Sequence, residues 1–173
     1  PELQIRSYLL KNNGGKFTDV TATDAPALVM PGMISSAIFT DYNNDNQLDL
    51  AIVGEYTPLV FMKNKGGKFE IANEETQTGL NTGWFNSILP IDIDNDNDLD
   101  YVLGNKGNNS FLNARPEFPI AIYWTDLDKN GREDLFMSYT QDGKEYPVNS
   151  SDEMQISFPG FLSKKFTNYV DFG

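Results

Sequence analysis

Three short windows of this chain repeat one arrangement of acidic and amide side chains. They limit its possible folds more than any other feature. Residues 41–49 read Asp-Tyr-Asn-Asn-Asp-Asn-Gln-Leu-Asp and residues 92–100 read Asp-Ile-Asp-Asn-Asp-Asn-Asp-Leu-Asp. Residues 126–134 read Asp-Leu-Asp-Lys-Asn-Gly-Arg-Glu-Asp. Of the 16 Asp in the sequence, 11 lie in these windows, whereas a solvated surface would scatter like charges that repel. All three reduce to D-x-[DN]-x-[DN]-[NG]-x-x-D, and an apolar stretch flanks each on both sides.

This pattern suits a hard divalent cation. Calcium takes several oxygen ligands at once, and alternating positions of a tight turn can aim side chains at one point. The expected ligands in the first window are Asp41, Asn43 and Asp45, with Asp49 closing the shell and Gln47 giving its carbonyl. In the second they are Asp92, Asp94, Asp96 and Asp100 with Asp98 at the carbonyl position. In the third they are Asp126, Asp128, Asn130 and Asp134 with Arg132 at that position. An Arg is tolerated there because only its backbone oxygen is used. Position six holds Asn46, Asn97 and Gly131, residue types that enter the left-handed conformation most readily. Up to three calcium ions would bring the formal charge from -12 to about -6, turning carboxylate repulsion into attraction.

A single window of this kind is as well explained by an Asp/Asn-rich turn with side-chain-to-backbone bonds. Three copies in register favour the metal. An EF-hand begins similarly but needs an acidic residue at position twelve and flanking helices. Here position twelve is Ile52, Leu103 and Met137, within apolar segments too short for helices, so the loops are placed between strands.

A second marker repeats with the first. Lys11-Asn12-Asn13-Gly14-Gly15-Lys16-Phe17 recurs as Lys63-Asn64-Lys65-Gly66-Gly67-Lys68-Phe69, 52 residues on, while Asp41 and Asp92 are 51 apart. Two independent markers sharing one period indicate a tandem unit, and a period near 50 built of several strands points to propeller blades. Each Gly-Gly pair sits between apolar runs as a hairpin turn should. A phosphate loop is excluded because neither Lys-Ser/Thr nor a helix follows. One blade is therefore expected as a strand ending at Thr40, the loop, a strand over 50–54, a third over 58–63 and a fourth over 68–72. A connector containing Gly79, Gly83 and Trp84 leads onward, and Glu74-Glu75 fall in a loop. By this register Pro1 lies just ahead of a third strand.

The third interval, Asp92 to Asp126, is only 34 residues, and 106–118 lacks the hairpin signature. That blade is abbreviated or completed from elsewhere. Gln141-Asp142-Gly143 marks a further hairpin between 135–139 and 144–148. Ser150 and Glu153 form a capping-box pattern, so 151–158 is expected as a short helix ended by Pro159-Gly160, and 161–169 as another. The expected fold is all-β: a partial β-propeller of about three four-stranded antiparallel blades, one abbreviated. Residues 1–173 form a single arc, with a helical insertion or edge cover at 150–170.

Composition closes other routes. With 13 basic against 25 acidic residues and no His, the chain lacks the basic surplus that nucleic acid or anionic membranes require. Without His or Cys there is no Ser-His-Asp or Cys-His nucleophile, no usual zinc site and no disulfide. The apolar share of 39% suffices for a core, and no apolar run reaches the ~18 residues of a membrane span. The chain opens at Pro1 without a leader, so any leader is expected to have been removed or the chain excised from a longer one.

The windows set between strands, with N-x-G-G-K-F turns at blade period, resemble the FG-GAP/VCBS repeats of integrin-α-type β-propellers. Gly83-Trp84-Phe85-Asn86-Ser87 is similar to bacterial VCBS-repeat proteins of the ASPIC/UnbV (cartilage-acidic-protein-like) group. So is Asp142-Gly143-Lys144-Glu145-Tyr146-Pro147 followed by Ser151-Asp152-Glu153. The resemblance implies a seven-bladed parent propeller, calcium at each matching loop, and export to periplasm, outer-membrane surface or medium. The chain departs from it in Asn for Gly at position six of two loops, in the short interval, and in having no visible ASPIC/UnbV C-terminal domain. About three blades against seven imply a fragment whose open edges pair with another copy or with missing blades.

The expected function is a non-catalytic scaffold for a protein or glycan partner. Trp84 and Phe85 are its exposed candidates, although core packing is the more ordinary role for aromatics. The alternative is part of a calcium-dependent propeller hydrolase; against it, the clustered acids are already used as ligands and no nucleophile–base pair exists.

Overall fold

A computed structural model of the chain describes residues 6–29, 31–79, 82–107, 109, 110, 112 and 114–158. The expected helix over 161–169, the Pro159-Gly160 stop and the register at Pro1 lie outside them. The described residues fall into two compact units, one up to 107 and one from 109 onward.

The first unit opens with the antiparallel hairpin β1 (Leu10–Asn13) and β2 (Lys16–Asp19), joined by Gly14 and Gly15 at φ 66° and 91°. A single helical turn, α1 (Thr21–Asp24), and a 3-10 turn at Pro26–Val29 follow. Then comes a complete blade of β3 (Met33–Thr40), β4 (Asp49–Pro58), β5 (Val60–Asn64) and β6 (Phe69–Ile71), all antiparallel neighbours. The expected blade is present, with its strand boundaries moved by a few residues. After a second helical turn, α2 (Asn73–Thr76), the pair β7 (Thr82–Ile91) and β8 (Asp100–Asn105) begins the next blade.

Two expectations are corrected here. Gly83 and Trp84 belong to β7 rather than to a connector, because β4 runs on past its expected end and pairs Glu55, Thr57 and Pro58 with Trp84, Gly83 and Thr82. Glu74 and Glu75 lie in α2 and not in a loop. β4 leaves β5 after Ile52 and pairs with β7 from Glu55, and the β3–β4 ladder carries a bulge between Ile34 and Ser36 beside that change of partner. At that point the backbones nearly touch: a Cβ on Gly54 would lie 2.0 Å from the Met33 carbonyl oxygen.

The run Leu50-Ala51-Ile52-Val53 explains where the core sits. A strand buried on both faces reads as continuous apolar sequence, and alternate residues supply the two faces. Leu50 and Ile52, with Met62 and Phe69, pack under Ala25 and Leu28 of the turns after β2. Ala51 and Val53, with Phe61 and Ala72, pack against Ile88, Phe85, Tyr101 and Leu103 of β7 and β8. The blade is thus sandwiched as a propeller blade is between its neighbours.

The second unit contains one sheet ordered β11 (Lys144–Pro147), β10 (Asp134–Gln141), β9 (Ile120–Thr125). Its hairpin turns at Asp142-Gly143, as expected. The helix α3 (Ser151–Ser157) begins with the full capping box: the Glu153 N–H donates to Ser150 Oγ, and Glu153 Oε2 accepts from the Ser150 N–H at 2.9 Å. All-β sheets of blade type with few short helices agree with a partial β-propeller.

Candidate metal centres

Each Asp-rich window connects two neighbouring antiparallel strands: β3 to β4, β7 to β8, and β9 to β10. No helix flanks any of them, which bears out the rejection of an EF-hand. The strand ends hold positions one and nine of a loop close together, and the intervening residues arch between them.

The arch has one backbone signature in all three copies. Positions four and six are both left-handed: Asn44 and Asn46 at φ 55° and 63°, Asn95 and Asn97 at 62° and 71°, Lys129 and Gly131 at 61° and 84°. The sequence pointed to position six; position four was missed, although Asn at two of its three copies carried the signal. These turns aim backbone N–H groups inward. Asp41 accepts from Asp45 and Asn46 at 3.0 and 2.8 Å. Asp92 accepts from Asn95 and Asn97 at 2.7 and 3.2 Å, and Asp126 from Asn130 and Gly131 at 2.9 Å each. The first carboxylate is therefore oriented by the loop's own backbone.

In the second loop Asp92, Asp94 and Asp100 bring carboxylate oxygens within 4.8 Å of one another, and in the third Asp126, Asp128 and Asp134 do the same. These are positions one, three and nine. Position five is held differently: Asp45, Asp96 and Asn130 each accept the N–H of position seven, at 2.9, 3.0 and 2.8 Å from Gln47, Asp98 and Arg132. In the second loop Asp98 stands among like charges, with Asp96 first, and its pKa is raised.

The first loop has an Asn at position three, and its amide oxygen accepts from Asp45 N–H at 3.0 Å. Its closing residue is the most buried of the three. Asp49 is completely inaccessible; its Oδ1 accepts from the Asn64 N–H at 2.7 Å, while its Oδ2 has no hydrogen-bond partner. In the other loops that oxygen takes the N–H of Ile93 or Leu127 at 3.0 and 2.9 Å. The corresponding Tyr42 N–H comes close enough to Asp49 to lower its pKa, but it lies outside hydrogen-bond geometry with Oδ2. Burial, above all, pushes that carboxyl up, with Asp45 and Asp41 adding to it against the Asn64 bond. A hard, oxygen-only donor set around a buried carboxylate oxygen without a donor fits a divalent cation.

Asn64 was not expected to matter to this site. It belongs to the Gly-Gly hairpin signature, yet its Nδ2 donates to the Leu48 carbonyl at 2.9 Å and its Oδ1 accepts from Gly67 N–H at 2.7 Å. One residue thereby ties the two repeat markers together. Tyr42 ties the loop to the next blade: its ring lies 4.9 Å from Phe61, which lies 5.0 Å from Tyr101, whose hydroxyl shares a 2.7 Å hydrogen bond with Thr40. Trp84 and Phe85, the candidate ligand-gripping aromatics, are used in packing. Phe85 joins the core cluster, and Trp84 lies 5.2 Å from the Tyr56 ring with the Lys106 ammonium 3.8 Å from its centroid.

Strand–loop–strand units stacked through both faces of a blade define a β-propeller type of repeat. Residues 41–103 match the family model described as FG-GAP-like repeat. That segment runs from the first loop through the second to β8 and is similar to those repeats as the sequence pattern implied. No curated protein and no solved structure gave a significant match. Among the described residues no helix is long and apolar enough to cross a membrane.

Proposed function

We propose that the chain is a calcium-stabilised, non-catalytic propeller segment of an exported or envelope protein of the ASPIC/UnbV-like kind, which serves as a scaffold for a protein or glycan partner. The observation that carries this reading is the Asp49 carboxylate, fully buried with one oxygen lacking a donor. A buried anionic oxygen left unsatisfied destabilises a fold, and a cation held by Asp41, Asn43, Asp45, Asp49 and the Gln47 carbonyl would remove that cost. The second and third loops would use the corresponding positions. When bound, calcium supplies charge neutralisation and a cross-link at the corner between two strands; the chain supplies preset N–H donors and left-handed turns that keep the carboxylates facing inward.

The affinity expected of extracellular calcium modules is roughly 10⁻⁴ to 10⁻³ M, so stability should follow free calcium by mass action. Adding EDTA should lower the melting temperature. Asp94→Ala, inside the second loop, should abolish more of the calcium-dependent rise than Asp142→Ala, which lies outside the windows. A midpoint that does not move with millimolar-range calcium would reduce the loops to ordinary turns.

A further inference from the structure

The sequence holds two Asn-Gly pairs, Asn13-Gly14 at the tip of the first hairpin and Asn130-Gly131 in the third loop. An asparagine before glycine is open to attack on its own side chain, because no Cβ hinders the approach of the glycine's backbone nitrogen. The reaction needs two freedoms. The glycine N–H must lose its proton, and the asparagine carboxamide must turn its Cγ onto the bare nitrogen. One pair has these freedoms and the other lacks them.

In the third loop the Gly131 N–H donates to Asp126 Oδ2 at 2.9 Å. The proton that must leave is therefore held by a carboxylate, whose charge also opposes the anion left behind. The Asn130 carboxamide is held from both ends: Oδ1 accepts from the Arg132 N–H at 2.8 Å, and Nδ2 donates to Asp128 Oδ2 at 2.9 Å. Turning onto Gly131 would break both bonds. At Asn13 the carboxamide makes a single bond among the described residues, Nδ2 to Thr18 Oγ1 at 3.2 Å. The Gly14 N–H donates to no partner among them. Lys16 stands opposite Asn13 in the ladder, a cation that favours loss of an amide proton. A Cβ on Gly14 would meet nothing within 4 Å. The matching tip of the complete blade, Lys65-Gly66-Gly67, is exposed as well, so this openness belongs to the turn and not to what lies beside its strands. Lys65 occupies the place of Asn13, which leaves the second hairpin the same turn without the reactive amide.

We infer that Asn13 is a site of spontaneous deamidation, and that the third loop's own hydrogen bonds keep Asn130 intact. The deprotonated Gly14 nitrogen bonds to Asn13 Cγ, the Cγ–Nδ2 bond breaks, and the amide nitrogen takes up a proton and leaves as ammonia. The cyclic imide then adds water at either carbonyl to give aspartate or isoaspartate, with no change of oxidation state. Both products place a new carboxylate at the hairpin tip. Isoaspartate also adds a carbon to the β1 backbone at the Asn13↔Lys16 pair. The first hairpin thus changes with age at a position where the second cannot.

Hydroxylamine intercepts the imide and splits the chain between Asn and Gly, so each site yields fragments of its own mass. The whole chain is treated in EDTA, where no bound cation contributes, both folded and in urea. In urea the two sites should be cut at similar rates. In the folded chain the cut after Asn13 should exceed that after Asn130 by roughly tenfold or more, the factor implied by hydrogen bonds to charged acceptors. Asn13→Lys, which copies the second hairpin, should abolish the first cut and leave the second unchanged in urea. Protein aged without hydroxylamine should show aspartate and isoaspartate at residue 13 in peptide maps, and amide exchange should be fast at Gly14 and slow at Gly131. Equal cutting of the two sites in the folded chain, or a Gly131 N–H that exchanges as fast as that of Gly14, overturns the shielding. A folded chain that is cut in urea but not at Asn13 in buffer overturns the assignment of the site.

Discussion

The two Gly-Gly hairpins have nearly the same sequence and the same register, yet they live in different surroundings. Their glycines take matching conformations, φ 66° and 91° in the first and 67° and 95° in the second. In both, an Asn side chain accepts a turn N–H, Gly15 to Asn12 at 2.8 Å and Gly67 to Asn64 at 2.7 Å. Every residue of β1 and β2 is nevertheless exposed, whereas Phe61, Met62 and Phe69 of the second hairpin are buried. The motif fixes the turn; β4 fixes the burial. A lone two-stranded hairpin is marginal in water, and the first is held through its ends, where Leu9 packs on the core and Thr21 accepts the Leu9 N–H at 2.8 Å.

Truncation should separate the hairpins most sharply at equivalent side chains. Phe61→Ala removes a ring that touches both Tyr42 and Tyr101 and should cost about 3–5 kcal/mol, the range for a buried aromatic. Leu9→Ala, at the matching position but only partly buried, should cost about 1 kcal/mol in proportion to the area it covers. Denaturant unfolding of the two variants measures this, and equal losses would mean that the first hairpin is as firmly built in as the second.

The paired asparagines come next. Asn64→Ala loses its bonds to Leu48 and Gly67, a combined cost of about 1–3 kcal/mol. It also loosens the segment whose N–H holds Asp49, so the calcium response proposed above should shrink with it. Asn12→Ala loses the single turn bond, about 0.5–1 kcal/mol, and should leave the calcium response unchanged. A calcium response that fell equally in both would show that the drop does not come from the bonds tying Asn64 to the loop.

What the sequence made legible follows the same division. Turns and loops depend on residues close in the chain, so the three windows, both Gly-Gly hairpins and the Ser150–Glu153 cap were readable from spacing. The continuation of β4 along β7 was not, because the pairing of Glu55 with Trp84 is a long-range choice that no local pattern encodes. Trp84 was misplaced for that reason, and the role of Asn64 was hidden because the turn motif alone accounts for its presence. The Asp49 environment was equally out of reach: the windows give three similar closing aspartates, and only the long-range packing of the complete fold makes Asp49 inaccessible.

The smallest effect is electrostatic and belongs to the first hairpin alone. Asp19 accepts from the Thr21 hydroxyl at 2.6 Å and from the Thr21 N–H at 2.9 Å; these bonds, the hydroxyl's foremost, favour the ionised form and hold its pKa below the usual carboxylate value. Ile71 occupies the matching position in the second hairpin, which therefore has no such dependence. The unfolded chain binds this proton more readily than the folded one, so the stabilisation is present above the unfolded pKa and disappears as pH falls through the folded one. Carbon-detected NMR should show Asp19 titrating below free aspartate, and Thr21→Val, which keeps the N–H but removes the hydroxyl, should move it upward. The acid limb of the stability profile should flatten slightly in Asp19→Asn. An Asp19 that titrates at the ordinary value and ignores Thr21→Val would detach the hairpin's end from the Thr21 network, leaving Leu9 packing as the principal tie between β1–β2 and the core.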